Sequence, residues 1–338
     1  MSILSKALSG QRLIQSGISV RTCIRNGKSL YESGQQQRSL GNNYRSALTR
    51  RAAKGRTFKE TIMAPAGETA FNIGKASVAG ASALGLGALC YYGLGMSSQL
   101  GAVDRSLVWP DYVKERVRST YMYFGGSIAL TAASAAAFFR SRMVMNFMLS
   151  NTWVSMLGSL ALMIGTGMIV RSLPYEEGLG KKQLAWILHS STIGAVFAPL
   201  TLLGGPLLLR AACYTAGVVG GLTTVAVCAP NEKFLTMGGP LAIGLGVVFA
   251  ASLGSMFLPP TTALGAGLYS LSLYGGLVLF SGFLLYDTQR IIRAAETYPN
   301  YGLTRFDPVN ASISIYLDTI NIFIRIATIL AGQGNRRK

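Results

Sequence analysis

The chain has 338 residues, half of them apolar, only 13% charged, with a net charge of +18. A soluble domain carries about a quarter of its residues as charges, so this composition excludes an ordinary water-soluble globule and points to lipid. A single histidine and four cysteines without a CxxC pair argue against a histidine-rich metal centre or a disulfide framework.

Residues 1–55 form a basic arm rich in Arg, Ser, Gln and Gly. Through residue 59, twelve basic residues stand against one acid, Glu32. Ile3, Leu4, Ala7, Leu8, Leu13 and Ile14 recur near Lys6 and Arg12, and the continuous apolar core of a secretory signal is missing. An Arg-rich, Ser-rich, acid-poor amphipathic start is the pattern of a mitochondrial transit segment. Few aromatic residues accompany the basic ones, so nucleic acid is not an expected partner.

Beyond the arm, charges divide the chain into apolar stretches. A membrane-spanning helix needs about 20 mostly apolar residues. The predicted spans are 76–98, 117–139, 150–170, 184–204, 207–229, 235–258, 264–286 and 309–331. The uncharged run over 234–286 is too long for one crossing, and Pro259-Pro260 divides it. Backbone amides in hydrocarbon must pair within their own segment, so these stretches are expected to be helices. The fold class is therefore all-α integral membrane, with about eight transmembrane helices. The expected organisation is the arm (1–55), an extra N-terminal helix with its loop (56–112), a main membrane domain (113–332) and a basic tail (333–338). An even number of crossings puts both ends on one side, and counting the arm among the basic loops favours the matrix for that side.

Smaller signals are weighed against plain structural roles. Lys75 is expected to snorkel as an interfacial anchor. The Gly-rich run over 80–95 reads as a helix-packing surface. Trp109, Trp153 and Trp186 lie near predicted helix ends, where amphipathic rings favour the interface. Cys23, Cys90, Cys213 and Cys228 are expected to be small buried apolar residues. His189, inside the fourth span, is read as a hydrogen-bonded structural histidine, with a proton relay as the alternative. No GxSG accompanies it, which argues against an intramembrane serine protease. An enzyme is not expected, nor a cofactor.

Two acids stand apart. Asp287 is read as ending the seventh span within GFLLYDTQRII, and Asp318 lies inside the eighth within SIYLDTINIFIRIATIL. An ionisable group inside a membrane is by default a functional residue. The plain alternatives are that Asp318 and Arg325, seven residues apart on one face, satisfy each other or neighbouring helices, and that Asp287 sits at the interface. If the two acids meet, they tend to share a proton. Calcium prefers hard oxygen ligands and would compete for that place.

GFLLYDTQRI followed by IYLDTINIFIRI resembles the last two helices of the Bax inhibitor-1 family of membrane proteins. VRSTYMYFGGSIALTAASAA resembles the family's first helix, and STIGAVFAPL its third. The resemblance covers roughly 113–332. The extra helix and the transit-like arm resemble the family's mitochondrial branch.

The resemblance implies a seven-helix core with the last helix central. It also implies a pH-sensitive aspartate latch on a calcium pathway, which falls on Asp287 and Asp318 as the ion, calcium and proton site. A latch-partner arginine falls near Arg171, with Arg325 a further charge partner. Some members carry an intramembrane Glu in the span that here covers 152–170, where this chain has no acid. For the mitochondrial branch the implied partners are membrane lipid, transported Ca²⁺ and H⁺, and inner-membrane proteins. The implied function is calcium/proton exchange or a calcium leak in the inner membrane, supporting cristae organisation and resistance to apoptosis. The competing readings are a non-transporting scaffold that organises cristae, and a transporter of another cation or a metabolite.

Overall fold

The computed structural model describes residues 60, 64–65, 67–97, 101–150, 153–230, 232–299 and 305–335. The transit-like arm, with Cys23, and residues 336–338 of the basic tail lie outside them. The helices are α1 (Thr69–Gly93), α2 (Ala102–Ser106), α3 (Asp111–Phe139), α4 (Arg142–Leu149), α5 (Trp153–Ser172), α6 (Lys181–Phe197), α7 (Gly205–Cys228), α8 (Gly238–Phe257), α9 (Ala263–Ser270), α10 (Gly276–Thr297) and α11 (Pro308–Asn335). A 3-10 turn, Ala198–Leu203, extends α6, and a π-helical turn, Leu271–Gly275, joins α9 to α10. Among the described residues, eight helical segments are long and apolar enough to cross a membrane. The all-α integral membrane fold is as expected.

The boundaries depart from the sequence reading in instructive ways. The first span is α1, Thr69–Gly93, rather than 76–98. Gly95 takes a left-handed φ of +69°, and Met96 N–H donates to Tyr91 O at 3.0 Å, which closes the helix. Lys75 does not bound the span; it lies inside α1 with its side chain exposed. Asp287 does not end the seventh span either. α10 runs on to Thr297, because Gln289, Ile291, Ile292 and Ala295 form a buried face. Sequence reading also passes over α4, a short, mostly apolar helix that buries Met145 between the second and third spans.

α11 is central. It packs against α10, α3, α7 and the π turn. Half of its apolar stretch is buried, against none of that of α1. Ile315, Ile322, Ile326 and Ala327 of α11 meet Leu284 and Ile291 of α10 and Ala211 and Val219 of α7. Nearer the start of α11, Val309 and Ile313 meet Val170 of α5 and Ala185 of α6. Large apolar side chains also face outward, as in Leu84 (77% exposed) and Ile243 (72%), which suits a lipid solvent.

In lipid, helices are drawn together by close packing rather than by escape from water, so small residues matter. At Gly194 of α6, an added Cβ would lie 2.6 Å from Thr131 O of α3. At Gly74 of α1, it would lie 2.6 Å from the Ser270 hydroxyl, which itself donates to Ala70 O at 2.7 Å. The run over 80–95 packs on α7 through Ala88, Leu89 and Tyr92, which meet Val225 and Ala229, rather than through its glycines: Gly80, Gly85 and Gly87 have nothing within 4 Å of an added Cβ. The expectation for the cysteines fails as well, since Cys90 and Cys213 are exposed and Cys228 is half-buried.

Candidate functional site

α10 and α11 are joined by the short connection over 298–307 and run antiparallel, which brings Asp287 and Asp318 side by side. Each is only 6% exposed. Their carboxyl groups lie close enough to act on each other's charge. Two carboxyls placed this way cannot both ionise cheaply and tend to share a proton. Asp318 Oδ2 is buried and has no hydrogen-bond donor. The hydroxyl of Ser314, one turn before Asp318, donates to Ala311 O at 3.4 Å and lies near enough to act on Asp287. Arg290 Nη1 stands 3.8 Å from Asp287 Oδ1, and Arg171 at the end of α5 is near enough to act on the same charge.

The pair lies behind a vestibule of about 480 Å³ lined by Arg171, Arg290, Tyr298, Asp307, Asn310 and Ser314 among others. Its walls are fixed by polar contacts at this end of the bundle. Lys182, buried at the start of α6, pairs with Asp307 and donates to Leu173 O at 2.7 Å. Asp307 also caps α11, accepting from Asn310 N–H at 3.0 Å. Arg116 of α3 donates to Ala295 O and Tyr298 O, each at 2.9 Å. Gln289, two residues past Asp287, accepts from Phe234 N–H at 2.8 Å and donates to Pro230 O at 3.0 Å.

The other residues singled out in the sequence sit elsewhere. Arg325 does not pair with Asp318. It donates to Asn321 Oδ1 at 2.9 Å, Asn321 O at 3.1 Å and Ser272 O at 3.3 Å, and stacks over Phe280 at 4.6 Å. A helix face shared at i and i+7 leaves two side chains about 10 Å apart along the axis, and nearer acceptors win. His189 is buried; Nδ1 meets the Thr166 hydroxyl at 2.9 Å, and Nε2 is buried without a partner. Trp186 does not lie at an interface: its indole N–H donates to Ser127 Oγ at 2.7 Å, and its ring meets Tyr123 edge-on. Trp109 donates to Glu296 at 2.8 Å, and Trp153, 60% exposed, stacks on Phe257.

Sequence reasoning missed Ser314, Asn310, Arg290 and the Lys182–Asp307 pair. The signal was present for the first two, since Asp307, Asn310, Ser314 and Asp318 recur at helical spacing. Among the described residues, no group of three or more His, Cys, Asp or Glu gathers to hold a metal.

Residues 113–336, which include both aspartates, match the family model described as inhibitor of apoptosis-promoting Bax1. The chain belongs to the Bax inhibitor-1 family. It is 59% identical over 293 residues to growth hormone-inducible transmembrane protein of Rattus norvegicus, covering 86% of this chain and 85% of that one. It is 32% identical over 224 residues to Bax inhibitor 1 of Homo sapiens, covering 63% and 85% respectively. An uncharacterized protein of Helicobacter pylori is 28% identical over 244 residues, covering 69% and 94%. The Bax inhibitor-1 family match begins at α3, so α1 lies outside it, while the rat protein is similar over most of this chain.

Proposed function

We propose that the chain is a calcium/proton exchanger, or a pH-gated calcium leak, of the mitochondrial inner membrane. The observation that carries this reading is the juxtaposition of Asp287 on α10 and Asp318 on the central helix α11, both buried behind a vestibule. Two carboxyls that share a proton offer Ca²⁺ hard oxygen ligands once that proton leaves. Ca²⁺ takes about six to eight oxygens; two carboxyls supply at most four of them, an incomplete shell that suits an ion in transit better than one stored. On this reading Arg290 and Arg171 hold Asp287 when no cation is present, and the protein is a transporter rather than an enzyme. Placement in the inner membrane rests on the transit-like arm. Support for cristae organisation and resistance to apoptosis are extensions of the same reading, and the human relative's name, Bax inhibitor 1, agrees with the second.

The test is purified full-length protein in liposomes with a calcium reporter and an imposed pH gradient. Wild-type protein is expected to pass calcium faster as pH rises on the vestibule side, and Asp318→Asn to fall to the background of empty liposomes. Equal flux in Asp318→Asn and wild type would remove the exchange reading and leave a non-transporting scaffold in its place.

A further inference from the structure

α11 carries one polar line along its length. Asp307, Asn310, Ser314, Asp318, Asn321 and Arg325 follow at steps of three or four residues, which keeps them on one helix face. The half before the aspartate pair is open: Asp307, Asn310 and Ser314 line the vestibule. Asn310 Oδ1 is buried with no donor, an acceptor that water or a passing cation would satisfy.

The half beyond the pair is closed. The Arg325 guanidinium spans from Asn321 to the π turn, donating to Asn321 and to Ser272 O while lying over Phe280. A π turn breaks the regular helical bonding, and at this one a carbonyl is left to accept from a side chain. Gly276 leaves room for the charge: an added Cβ would lie 2.7 Å from Arg325 Nη2. α8 braces the cradle through Ser252 Oγ, 2.6 Å from Ser272 Oγ. Among the described residues no carboxylate makes an ion pair with Arg325, and no charged residue occurs between Phe234 and Tyr286 on the helices that hold it. Three segments have therefore been shaped around an uncompensated positive charge at membrane depth.

We propose that Arg325 is a fixed cationic plug. It closes the far half of the polar line to cations, so that the aspartate pair opens to water only through the vestibule. A cation passing within about 5 Å of the guanidinium, at an effective dielectric of about 20, is slowed by roughly two orders of magnitude. The inference builds on the ion role proposed for the pair, but its test is independent of calcium.

The full chain, with Cys23, Cys90, Cys213 and Cys228 replaced by Ser, is reconstituted carrying either Ser314→Cys or Asn321→Cys. A membrane-impermeant trimethylammonium methanethiosulfonate is added to one face at a time. Asn321→Cys keeps the two backbone carbonyls that hold the guanidinium. The thiol at 314 is expected to react from the vestibule face, and the thiol at 321 to resist reagent from the opposite face. Adding Arg325→Ala is expected to speed that second reaction about tenfold or more, while Arg325→Lys leaves it protected. Labelling at 321 from the opposite face, with Arg325 intact, as fast as labelling at 314 from the vestibule would overturn the plug, whether or not Arg325→Ala folds. So would a well-folded Arg325→Ala that gains no reactivity. The expected labelling together with calcium flux indifferent to Asp318→Asn would remove the exchange reading and keep the plug. Failed labelling with Asp318-dependent flux would do the reverse.

Discussion

At the residue scale, charge in this protein is held by partners of different quality. Asp318 has another carboxyl for its neighbour, Arg325 has carbonyls and a ring, and Lys182 has a true counter-ion in Asp307. Breaking a fully buried pair costs about 3–5 kcal/mol because a charge is left without compensation. Asp307 keeps 22% of its side chain exposed, so water softens the loss. Lys182→Met is therefore expected to destabilise the bundle by about 2 kcal/mol, a melting point roughly 5 °C lower for a domain of this size. Thermal unfolding in detergent measures it, and an unchanged midpoint would mean that the pair holds nothing together. The aspartates themselves were legible in the sequence, because an acid in an apolar run is conspicuous. Lys182 was not, since a lysine at the start of a span looks like any loop lysine until its partner 125 residues later is seen beside it.

At the scale of elements, the sequence located all eight spans but misplaced several ends. Hydropathy reports where a helix enters lipid, not where it stops being a helix. α10 continues past Asp287 because its later residues still have a face to bury, while α1 stops early because Gly95 turns left-handed. The π turn between α9 and α10 has no clear mark in the sequence, yet both α1 and Arg325 dock against it. At Gly74 the first helix reaches Ser270 and Tyr274. Gly74→Leu is expected to loosen α1 while α3 through α11 stay folded. Amide exchange confined to 69–93 and faster in the variant checks this; exchange there equal to wild type would place the docking site elsewhere.

At the scale of the whole bundle, eight crossings sort the charges by end. Asp104, Asp111, Glu115, Glu176, Glu177, Glu232, Glu296 and Asp307 all fall at the vestibule end, while the opposite end carries Arg140, Arg142 and Arg210 and, from Thr69 onward among the described residues, no acid. Both flanks of the bundle then share one compartment. An epitope at residue 64 and another at the C-terminus should be cut or protected together in protease-protection assays, and opposite outcomes would contradict the count of crossings. The sequence by itself determined the solvent, the number of spans, the two intramembrane acids and the family, because each follows from the order of residues along one strand of chain. Only the tertiary structure decided which acid meets which, that Arg325 turns to Ser272 rather than to Asp318, and that the pair faces a vestibule at one end. Those outcomes depend on which of several nearby acceptors lies within about 3 Å, and that distance is set by how separate helices pack.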